Sequence, residues 1–395
     1  MKVAYYSPLP PETSGITDYS ALLLPALRER IDLEVVRRGR TRPPRGTDLS
    51  LYHVGNSPEA HGWIVEALRR RSGVVVLHEL VLHHLVAGLT IGRKDGPGYL
   101  AAMERDSGLP ARLLAHGVLE GRVPPPWETR PEDFPLAGEI LDRAAGLIVH
   151  SRYVADGARR LGYEGPLWRI PHPAWPAPAV EPARLDGAPV VGCFGHLNAS
   201  KRIPQLLEAF GRLPDGARLV LVGPVSPRFD LDGRLEKAGL LGSPTLLREA
   251  YVPEERLWAL MAGCDVLVSL RAPTMGETSG SAIRALSLGK PLVVSDLGWF
   301  AELPDGVALK VPVGEGEVAA LEAALREPPP AGHVPEEHRL DHVADLYAAA
   351  LEEAAGGEAV REAVLREVAR AGAETGLSDE APELAGRLRE VGLGE

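Results

Sequence analysis

Lys201 and Arg202 are adjacent cations that directly precede a predicted helix at 203–212. Two cations at the start of a helix can neutralise a diphosphate, because charge-assisted hydrogen bonds from lysine and arginine are strong. The preceding segment, GCFGHLNAS (192–200), lacks the GxGxxG spacing of a nicotinamide-binding turn. The same pair could equally lie on a solvated helix face, so a diphosphate site requires a second phosphate-binding element.

A hydroxyl-rich segment further along the chain supplies such an element. Thr278, Ser279, Gly280 and Ser281 lie at the start of a predicted helix. The first N–H groups of a helix have no intrahelical partner, so this segment predicts an anion site. Glu277 stands just outside it, and a carboxylate beside an anion site suits the hydroxyl groups of a sugar. A helix cap formed by Thr278 or Ser279 is compatible with this role.

His78 follows the apolar segment GVVVL (73–77) and precedes Glu79. A polar residue at the carboxyl end of a buried parallel strand points into the crevice where such sheets bind ligands. Two alternatives remain open, an active-site histidine and a core histidine with satisfied hydrogen bonds. His83 and His84 follow, but their spacing does not match the HExxH zinc motif, so we predict no metal site.

Gly15 lies in the first strand–helix turn of the sequence, directly after Ser14. A glycine there lets the backbone approach a phosphate or a sugar, and the predicted helix that begins near Thr17 offers its positive N-terminus. A plain turn between strand and helix has the same composition. Gly15 is therefore a candidate only together with the other segments.

The segments that must position these residues alternate between apolar strands and amphipathic helices. Strands are predicted at 2–6, 33–37, 49–54, 73–78, 146–150, 189–197, 217–225, 264–270, 290–296 and 306–312. Helices are predicted at 17–29, 58–71, 152–161, 203–212, 254–262, 280–288, 316–326 and 335–355. Fully apolar strands that alternate with helices predict parallel sheets covered on both faces, and hence an α/β protein with two Rossmann-like domains.

A proline-rich segment separates the two series of strands and predicts a stiff extended linker, because proline lacks a donor and disfavours helix before it. The predicted domains are therefore 1–172, a linker at 173–187, and 188–334. The helices of 335–395 are expected to pack back on the first domain. The part of this tail beyond 357 carries no residue pattern that predicts chemistry.

The composition excludes several classes of protein. The chain has 395 residues, a formal net charge of −11 and two cysteines, Cys193 and Cys264. It therefore has no disulfide framework, and a reducing cytoplasm is expected. No uncharged apolar run approaches the roughly 20 residues that span a bilayer, and the N-terminal segment lacks the apolar core of a signal peptide. The acidic total also argues against nucleic acid as the main partner.

Four segments together resemble the retaining GT-B glycosyltransferases of family 4. They are SGITDYS (14–20), the strand-end His78, the Lys201 turn, and GETSGSAIRALSLGKPLVVSD (276–296). The resemblance extends to about residue 355. It implies the GT-B fold, in which two Rossmann-like domains face each other across a cleft. It also implies transfer of a sugar from a UDP- or GDP-linked donor to a glycan, a lipid or a small molecule.

The resemblance also implies a role for each candidate residue. His78, Lys201 and Glu277 would be catalytic, with His78 and Glu277 at the donor sugar and Lys201 at the diphosphate. Tyr251 and Val252 lie in AYVPEERL (250–257), which resembles the base-contacting loop of the family. The predicted donor-binding residues are Gly15, Arg202, Thr278, Ser279, Gly280, Ser281 and Arg284.

The sequence departs from the family pattern at three places. His196 replaces a cation that often precedes the lysine by five residues, and Arg202 stands where many members have glycine. The second glutamate, which grips the ribose in the family, is missing, and its place falls on Arg284 or Ala285. Arg284 is expected to contact phosphate or ribose instead, and the donor nucleotide stays open.

The implied mechanism needs no cofactor and no metal. Cations and a helix N-terminus at the diphosphate would stabilise the leaving group, and the acceptor would attack from the face that the diphosphate leaves. Two rival functions are a sugar-nucleotide epimerase and a non-catalytic subunit that binds a sugar nucleotide. A phosphorylase is disfavoured, because the sequence shows no pyridoxal-phosphate site.

The negative charge is unevenly distributed along the chain. Residues 1–175 carry a net charge of +2, and five arginines fall within nine positions, 37–45. They are Arg37, Arg38, Arg40, Arg42 and Arg45. This segment is either a solvated loop or a surface for weak contact with an anionic membrane or an acidic glycan. The expected location is cytoplasmic, extended by the second alternative to the inner membrane face.

Overall fold

The computed structural model describes residues 1–12, 14–357 and 370, and the chain divides into two units. The first unit comprises Met1–His172 together with the described residues from Leu340 onward, and the second comprises Pro173–Arg339. Each unit is built on one six-stranded parallel sheet, which confirms the predicted α/β fold. Most of the predicted tail, 358–369 and 371–395, lies outside the described residues.

The first sheet has the strand order β2-β1-β3-β4-β5-β6. Its strands are β1 (Lys2–Tyr6), β2 (Asp32–Val35), β3 (Leu49–Val54), β4 (Gly73–Leu77), β5 (Ala144–Val149) and β6 (Leu167–Arg169). Its helices are α1 (Gly15–Arg28), α2 (Pro58–Arg70), α3 (His83–Leu89), α4 (Gly96–Leu119), α5 (Pro126–Thr129), α6 (Gly138–Arg143) and α7 (Arg152–Arg160). β1, β3, β4 and β5 are almost wholly buried, as their unbroken apolar sequences predict.

The second sheet has the order β12-β11-β10-β7-β8-β9. Its strands are β7 (Val190–Phe194), β8 (Arg218–Val222), β9 (Leu246–Glu249), β10 (Val266–Ser269), β11 (Leu292–Ser295) and β12 (Leu309–Val311). Its helices are α8 (Ile203–Phe210), α9 (Leu231–Lys237), α10 (Glu254–Gly263), α11 (Gly280–Ser287) and α12 (Glu317–Arg326). Read from β9, this is the 3-2-1-4-5-6 order of the Rossmann fold.

The last described helix, α13 (Leu340–Ala355), packs on α1 of the first unit. Val343, Tyr347 and Leu351 fill the same apolar core as Leu23 and Leu27. The residues 335–339, which the sequence grouped with this helix, belong to the second unit. His338 is buried there, and its carbonyl accepts a hydrogen bond from the Ala174 amide at 2.7 Å.

The proline-rich segment 173–187 contains neither helix nor strand, but it is part of the second unit rather than a free connection. The Trp175 indole is buried, and the Ala183 amide donates to the Ala259 carbonyl at 2.8 Å. Proline content predicts the extended backbone correctly. It does not predict the packing, because the buried Trp175 contacts Arg284, which lies far later in the sequence.

Candidate functional site

The second sheet has its topological switch point between β7 and β10, where successive strands begin to add on opposite sides. Loops that leave the carboxyl ends of two such strands diverge and open a crevice, which is the usual ligand site of an open parallel sheet. The Lys201 turn follows β7, and the Glu277–Ser281 segment follows β10. Strand order therefore brings together two segments that are far apart in sequence.

Lys201 ends a short 3₁₀ helix, Ala199–Lys201, which begins after Asn198. Asn198 Oδ1 accepts a hydrogen bond from the Lys201 amide at 3.2 Å and holds the turn. The lysine is only 3% exposed, and its ammonium donates to the Phe194 carbonyl. Burial is the main reason that its pKa is lowered to about 8. Among the described residues, no carboxylate lies within ion-pair distance of this ammonium.

Gly195, directly after β7, marks the point on which the two segments converge. Its φ is +95°, a conformation that favours glycine. A Cβ atom placed on it would lie 3.2 Å from Lys201 Nζ and 3.9 Å from Ser281 Oγ. The ammonium and the hydroxyl therefore border the same small space above the end of β7.

The start of α11 is held by a row of hydroxyl groups. Ser279 is the N-cap, and its Oγ accepts from the Ala282 amide at 3.3 Å. The same Oγ lies 3.2 Å from Ser269 Oγ and 3.1 Å from Ser281 Oγ. Thr278 Oγ1 is buried and has no hydrogen-bond partner within the described residues. This arrangement fixes the positive end of α11, and the buried Thr278 hydroxyl keeps hydrogen-bonding capacity for a ligand.

Glu277 is oriented by three donors. Its Oε2 accepts from the Met275 amide at 2.7 Å and from Thr274 Oγ1 at 3.2 Å. Its Oε1 lies 2.9 Å from Arg271 Nε. A carboxylate held at both oxygens keeps one orientation while its remaining lone pairs stay available to hydroxyl donors.

Arg271 is the site residue that sequence reasoning missed. Its Nη1 donates to Ser200 Oγ at 2.8 Å, beside Lys201, while its Nε binds Glu277. The side chain therefore joins the loop after β7 to the loop after β10. A signal was present, because Arg271 directly follows Leu270 at the end of an apolar strand, as His78 does. We call Lys201, Arg271, Glu277, Ser279 and Ser281 the cationic cluster.

Arg202 does not join this cluster, contrary to the sequence-based expectation. Its Nε donates to Glu317 Oε1 at 2.9 Å and its Nη2 to Glu317 Oε2, which forms a bidentate pair with a buried carboxylate. Its φ is +55°, a left-handed conformation that favours glycine. The ion pair accounts for an arginine in this conformation, so Arg202 is a structural residue here.

Arg284 packs against two aromatic side chains of the second unit. Its guanidinium carbon lies 3.7 Å from the centroid of the Trp175 ring and 5.9 Å from that of Trp258. The side chain is buried between these indoles, in a cation–π arrangement. This packing explains the burial of Arg284. Its Nη1 lies beside Gly280, 3.6 Å from where a Cβ atom on that glycine would stand, and a contact with phosphate or ribose stays a prediction.

The remaining predicted residues of the second unit lie near the ends of its strands. Tyr251, two residues after β9, is 79% exposed, and Val252 is partly buried. Such a ring offers an open face to a planar base. The pKa of His196 is lowered by desolvation and by the cations Lys201 and Arg271, so it is neutral near pH 7 and does not supply the cation expected at this position.

Gly15 is the first residue of α1, and Ser14 Oγ caps this helix by accepting from the Thr17 amide at 3.0 Å. Gly15 is exposed, and a Cβ atom placed on it would meet no atom within 4 Å. The loop that carries it follows β1, which borders the β1–β3 switch point of the first sheet. Packing therefore leaves the space beside Gly15 open.

His78 lies directly after β4 and is 7% exposed. Its Nε2 is 3.0 Å from His53 Nδ1, and its ring meets the Tyr19 ring edge-on at 4.8 Å between centroids. Burial, followed by the neighbouring His150, lowers its pKa well below the ordinary value. His78 is thus a neutral hydrogen-bonding group rather than a cation near pH 7.

His83 is a core histidine with contacts at both ring nitrogens, which is the alternative that the sequence left open for His78. Its Nδ1 lies 2.8 Å from the Phe134 carbonyl, and its Nε2 lies 2.9 Å from the Tyr99 hydroxyl. Within the residues that the structure describes, no group of three or more histidine, cysteine or acidic side chains could hold a metal ion. In that same part of the chain, no helix is long and apolar enough to cross a membrane.

Comparisons with known proteins agree with this fold. Residues 188–327 match the family described as Glycosyl transferases group 1. No curated protein matches the chain in sequence. Sucrose-phosphate synthase from Thermosynechococcus elongatus aligns with 94% of this chain and 100% of its own, at 17% identity and a TM-score of 0.55.

Two further solved structures share the fold. HepE from Anabaena, in complex with UDP and glucose, aligns over 90% of this chain and 95% of its own, at 16% identity and a TM-score of 0.53. AviGT4, a glycosyltransferase involved in avilamycin A biosynthesis, aligns over 90% and 98%, at 19% identity and a TM-score of 0.50. Residues 188–327 therefore form a Glycosyl transferases group 1 domain, and the two-sheet chain has the GT-B fold of these enzymes.

Proposed function

We propose that this glycosyltransferase belongs to family 4 and transfers a sugar from a nucleoside-diphosphate donor with retention of configuration. The donor is UDP- or GDP-linked, and the acceptor is a glycan, a lipid or a small molecule. The observation that carries the proposal is the Lys201 ammonium, which is buried with a lowered pKa and has no carboxylate partner among the described residues. A buried cation of this kind is typical of a functional anion site.

The chemistry of the leaving group fits the cationic cluster. Cleavage of the bond between the sugar and the diphosphate leaves negative charge on the phosphate oxygens. Lys201, the Ser281 hydroxyl and the first N–H groups of α11 are preorganised donors that would stabilise this charge. The proposed site therefore neutralises the leaving group with protein donors and requires no bound metal.

The other candidate residues have roles at the two ends of the donor. Glu277, oriented by Arg271, would accept hydrogen bonds from sugar hydroxyls. The resemblance gives His78 a contact with the same sugar, and Gly15 leaves room for a phosphate. Tyr251 would present its exposed ring to the base, with Val252 beside it. HepE was crystallised with UDP-glucose, which supports UDP-sugars as the first donors to test.

Hydrolysis of the donor in the absence of acceptor tests this function. A panel of UDP- and GDP-sugars is incubated with the enzyme, and the released nucleoside diphosphate is measured. We expect slow release from one donor, reduced at least about 100-fold in Lys201→Ala and Glu277→Ala. Lys290→Ala is a matched control, because Lys290 Nζ also donates to a backbone carbonyl, that of Cys264, at 2.9 Å.

The outcomes separate the rival functions. An epimerase would yield an altered sugar nucleotide without releasing the diphosphate. A non-catalytic subunit would bind a nucleotide, as measured by calorimetry, without consuming it. Failure to bind any sugar nucleotide would refute the proposed donor site.

A peripheral contact with an anionic membrane or an acidic glycan is the second part of the proposal. Arg37, Arg40, Arg42 and Arg45 are exposed, while Arg38 pairs with Glu12 at 2.6 Å. Each surface cation contributes about 1 kcal/mol to binding at an anionic membrane. Sedimentation with vesicles tests this contact and the cytoplasmic-face location it implies. Binding that is independent of anionic lipid would contradict it.

A further inference from the structure

Four neighbouring strands of the first sheet each place a histidine at or just beyond their carboxyl end. His53 lies in β3, His78 follows β4, His150 follows β5, and His172 follows β6. All four are buried. We call these histidines, together with Tyr19 of α1, the histidine cluster. The family resemblance assigns a role to His78 alone, so the other members need an explanation of their own.

Tyr19 is the centre of this cluster. Its ring centroid lies between 4.7 and 5.8 Å from those of all four histidines. Its hydroxyl is 2.6 Å from that of Tyr347 in α13, and His150 Nδ1 lies 2.8 Å from the Ile170 carbonyl. The rings therefore pack closely around Tyr19, and this packing favours the contact between His78 and His53.

Two histidines of the cluster are joined by a hydrogen bond, between His53 Nδ1 and His78 Nε2 at 3.0 Å. Burial is the main reason that the pKa values of both histidines lie well below the ordinary value. In a hydrogen bond between two neutral imidazoles, one ring donates its N–H and the other accepts with its unprotonated nitrogen. The direction of this bond decides which nitrogen of His78 carries its proton.

The other nitrogen of His53 determines the direction. His53 Nε2 is buried and has no hydrogen-bond partner among the described residues. If His78 donated, His53 would carry its own proton on Nε2 as an orphaned N–H group, which is rare in protein interiors. If His53 donates from Nδ1, the orphan is only a lone pair. The second arrangement is favoured, and it leaves the His78 proton on Nδ1.

We propose that His53 is a positioning residue that holds His78 in the Nδ1–H tautomer, so that His78 presents an N–H donor to a hydroxyl oxygen of the donor sugar. The contact with sugar rests on the proposed function, whereas the tautomer does not. Within the described residues, His78 Nδ1 makes no hydrogen bond, and His78 keeps 7% of its surface exposed. The hydrogen bond from His78 to the sugar is stronger when the His78 tautomer is fixed before the sugar binds.

Nitrogen NMR of the full-length protein with labelled histidine tests the tautomer without any substrate. We expect His78 to carry its proton on Nδ1 and to become a mixture of tautomers in His53→Leu. His53→Asn should restore the single tautomer, because the asparagine amide can donate from nearly the position of Nδ1. A wild-type His78 protonated on Nε2, or a tautomer unchanged in His53→Leu, would overturn the proposal.

Kinetics with the donor identified by the hydrolysis screen supply the second readout. We expect His53→Leu to lower kcat roughly tenfold or more with KM nearly unchanged, and His53→Asn to recover most of the loss. His84→Leu, at an exposed position nearby, is the control. Equal losses in Leu and Asn variants that remain folded would show a purely structural role. If no donor is turned over, the proposed function fails while the NMR result still decides the tautomer.

Discussion

The histidine cluster and the cationic cluster occupy equivalent positions in their sheets but differ in charge. Both place polar side chains at the carboxyl ends of buried parallel strands. The first consists of neutral rings whose protonation is suppressed by burial, whereas the second keeps the buried ammonium of Lys201 and the Arg271–Glu277 ion pair. A neutral cluster can orient a hydrogen bond but cannot offset an anion. The neutral cluster therefore suits an uncharged ligand group, and the cationic cluster suits an anionic one.

The largest expected effect comes from removing the charge of the cationic cluster. Lys201→Met should lower kcat/KM for the donor by about 1000-fold, because the diphosphate loses its buried cation. The same change should raise the free energy of unfolding by about 1–3 kcal/mol at pH 7, since a buried ammonium with a lowered pKa destabilises the folded state. Steady-state kinetics and denaturant unfolding measure the two effects. A stable variant with full activity would contradict this role.

Arg271 tests whether the cationic cluster works as a unit. Arg271→Gln should lower kcat/KM by about 100-fold, because Glu277 loses its ion-pair partner and the two loops lose their connection. Arg271→Lys should be intermediate, since a lysine cannot reach Glu277 and Ser200 with separate donors. An Arg271→Lys variant with wild-type kinetics would show that charge alone suffices.

Arg202 lies next to Lys201 but is paired with Glu317, so its removal should affect stability rather than activity. Arg202→Gly relieves the left-handed backbone but leaves the buried Glu317 unpaired. We expect a loss of about 2–4 kcal/mol in the free energy of unfolding, with kcat and KM of the folded fraction unchanged. Chemical denaturation and kinetics below the transition measure both. A loss of donor affinity without a loss of stability would show that Arg202 binds the donor.

Donor affinity should depend on pH through Lys201. The free ammonium has a pKa of about 8, and a bound diphosphate would raise it. Binding is then coupled to proton uptake above pH 8, so affinity should fall about tenfold per pH unit there and stay nearly constant between pH 6.5 and 7.5. Calorimetric titrations across this range measure the slope. The slope should be absent from Lys201→Met.

The smallest effect is expected from the hydroxyl pair of Tyr19 and Tyr347. Tyr347→Phe removes the hydroxyl partner of Tyr19 and leaves a buried hydroxyl unpaired. The free energy of unfolding should fall by about 1–2 kcal/mol, and donor affinity should not change, because no charge is altered. Thermal unfolding and calorimetry provide the measurements. A large change in donor affinity would mean that the clusters are coupled.

The sequence predicts the main elements of the fold because the strands are buried on both faces and read as unbroken apolar runs. It misses β6 and β9, since these short strands lie at the sheet edges and are only partly buried. It also places Lys201, Glu277 and the start of α11 in the segments that follow two strands, because these positions depend on local strand–helix turns. Local turns are what a sequence encodes most directly.

The remaining site residues depend on contacts that no local pattern contains. Arg202 and Arg284 have side chains that suit a diphosphate, but their partners Glu317 and Trp175 are distant in sequence. The pairing of His53 with His78 likewise requires the register of β3 and β4. Residue type predicts what a side chain can do, whereas tertiary contacts decide what it does.

The hydrogen bond between Tyr19 and Tyr347 has a consequence for the order of events during synthesis. The two tyrosines are 328 positions apart, yet they belong to one core, to which α13 also contributes Val343 and Leu351. The ribosome has therefore released the whole second unit before the first can complete its packing. Until then, the apolar face of α1 lacks its cover, and a nascent chain in this state is open to aggregation or to chaperone binding.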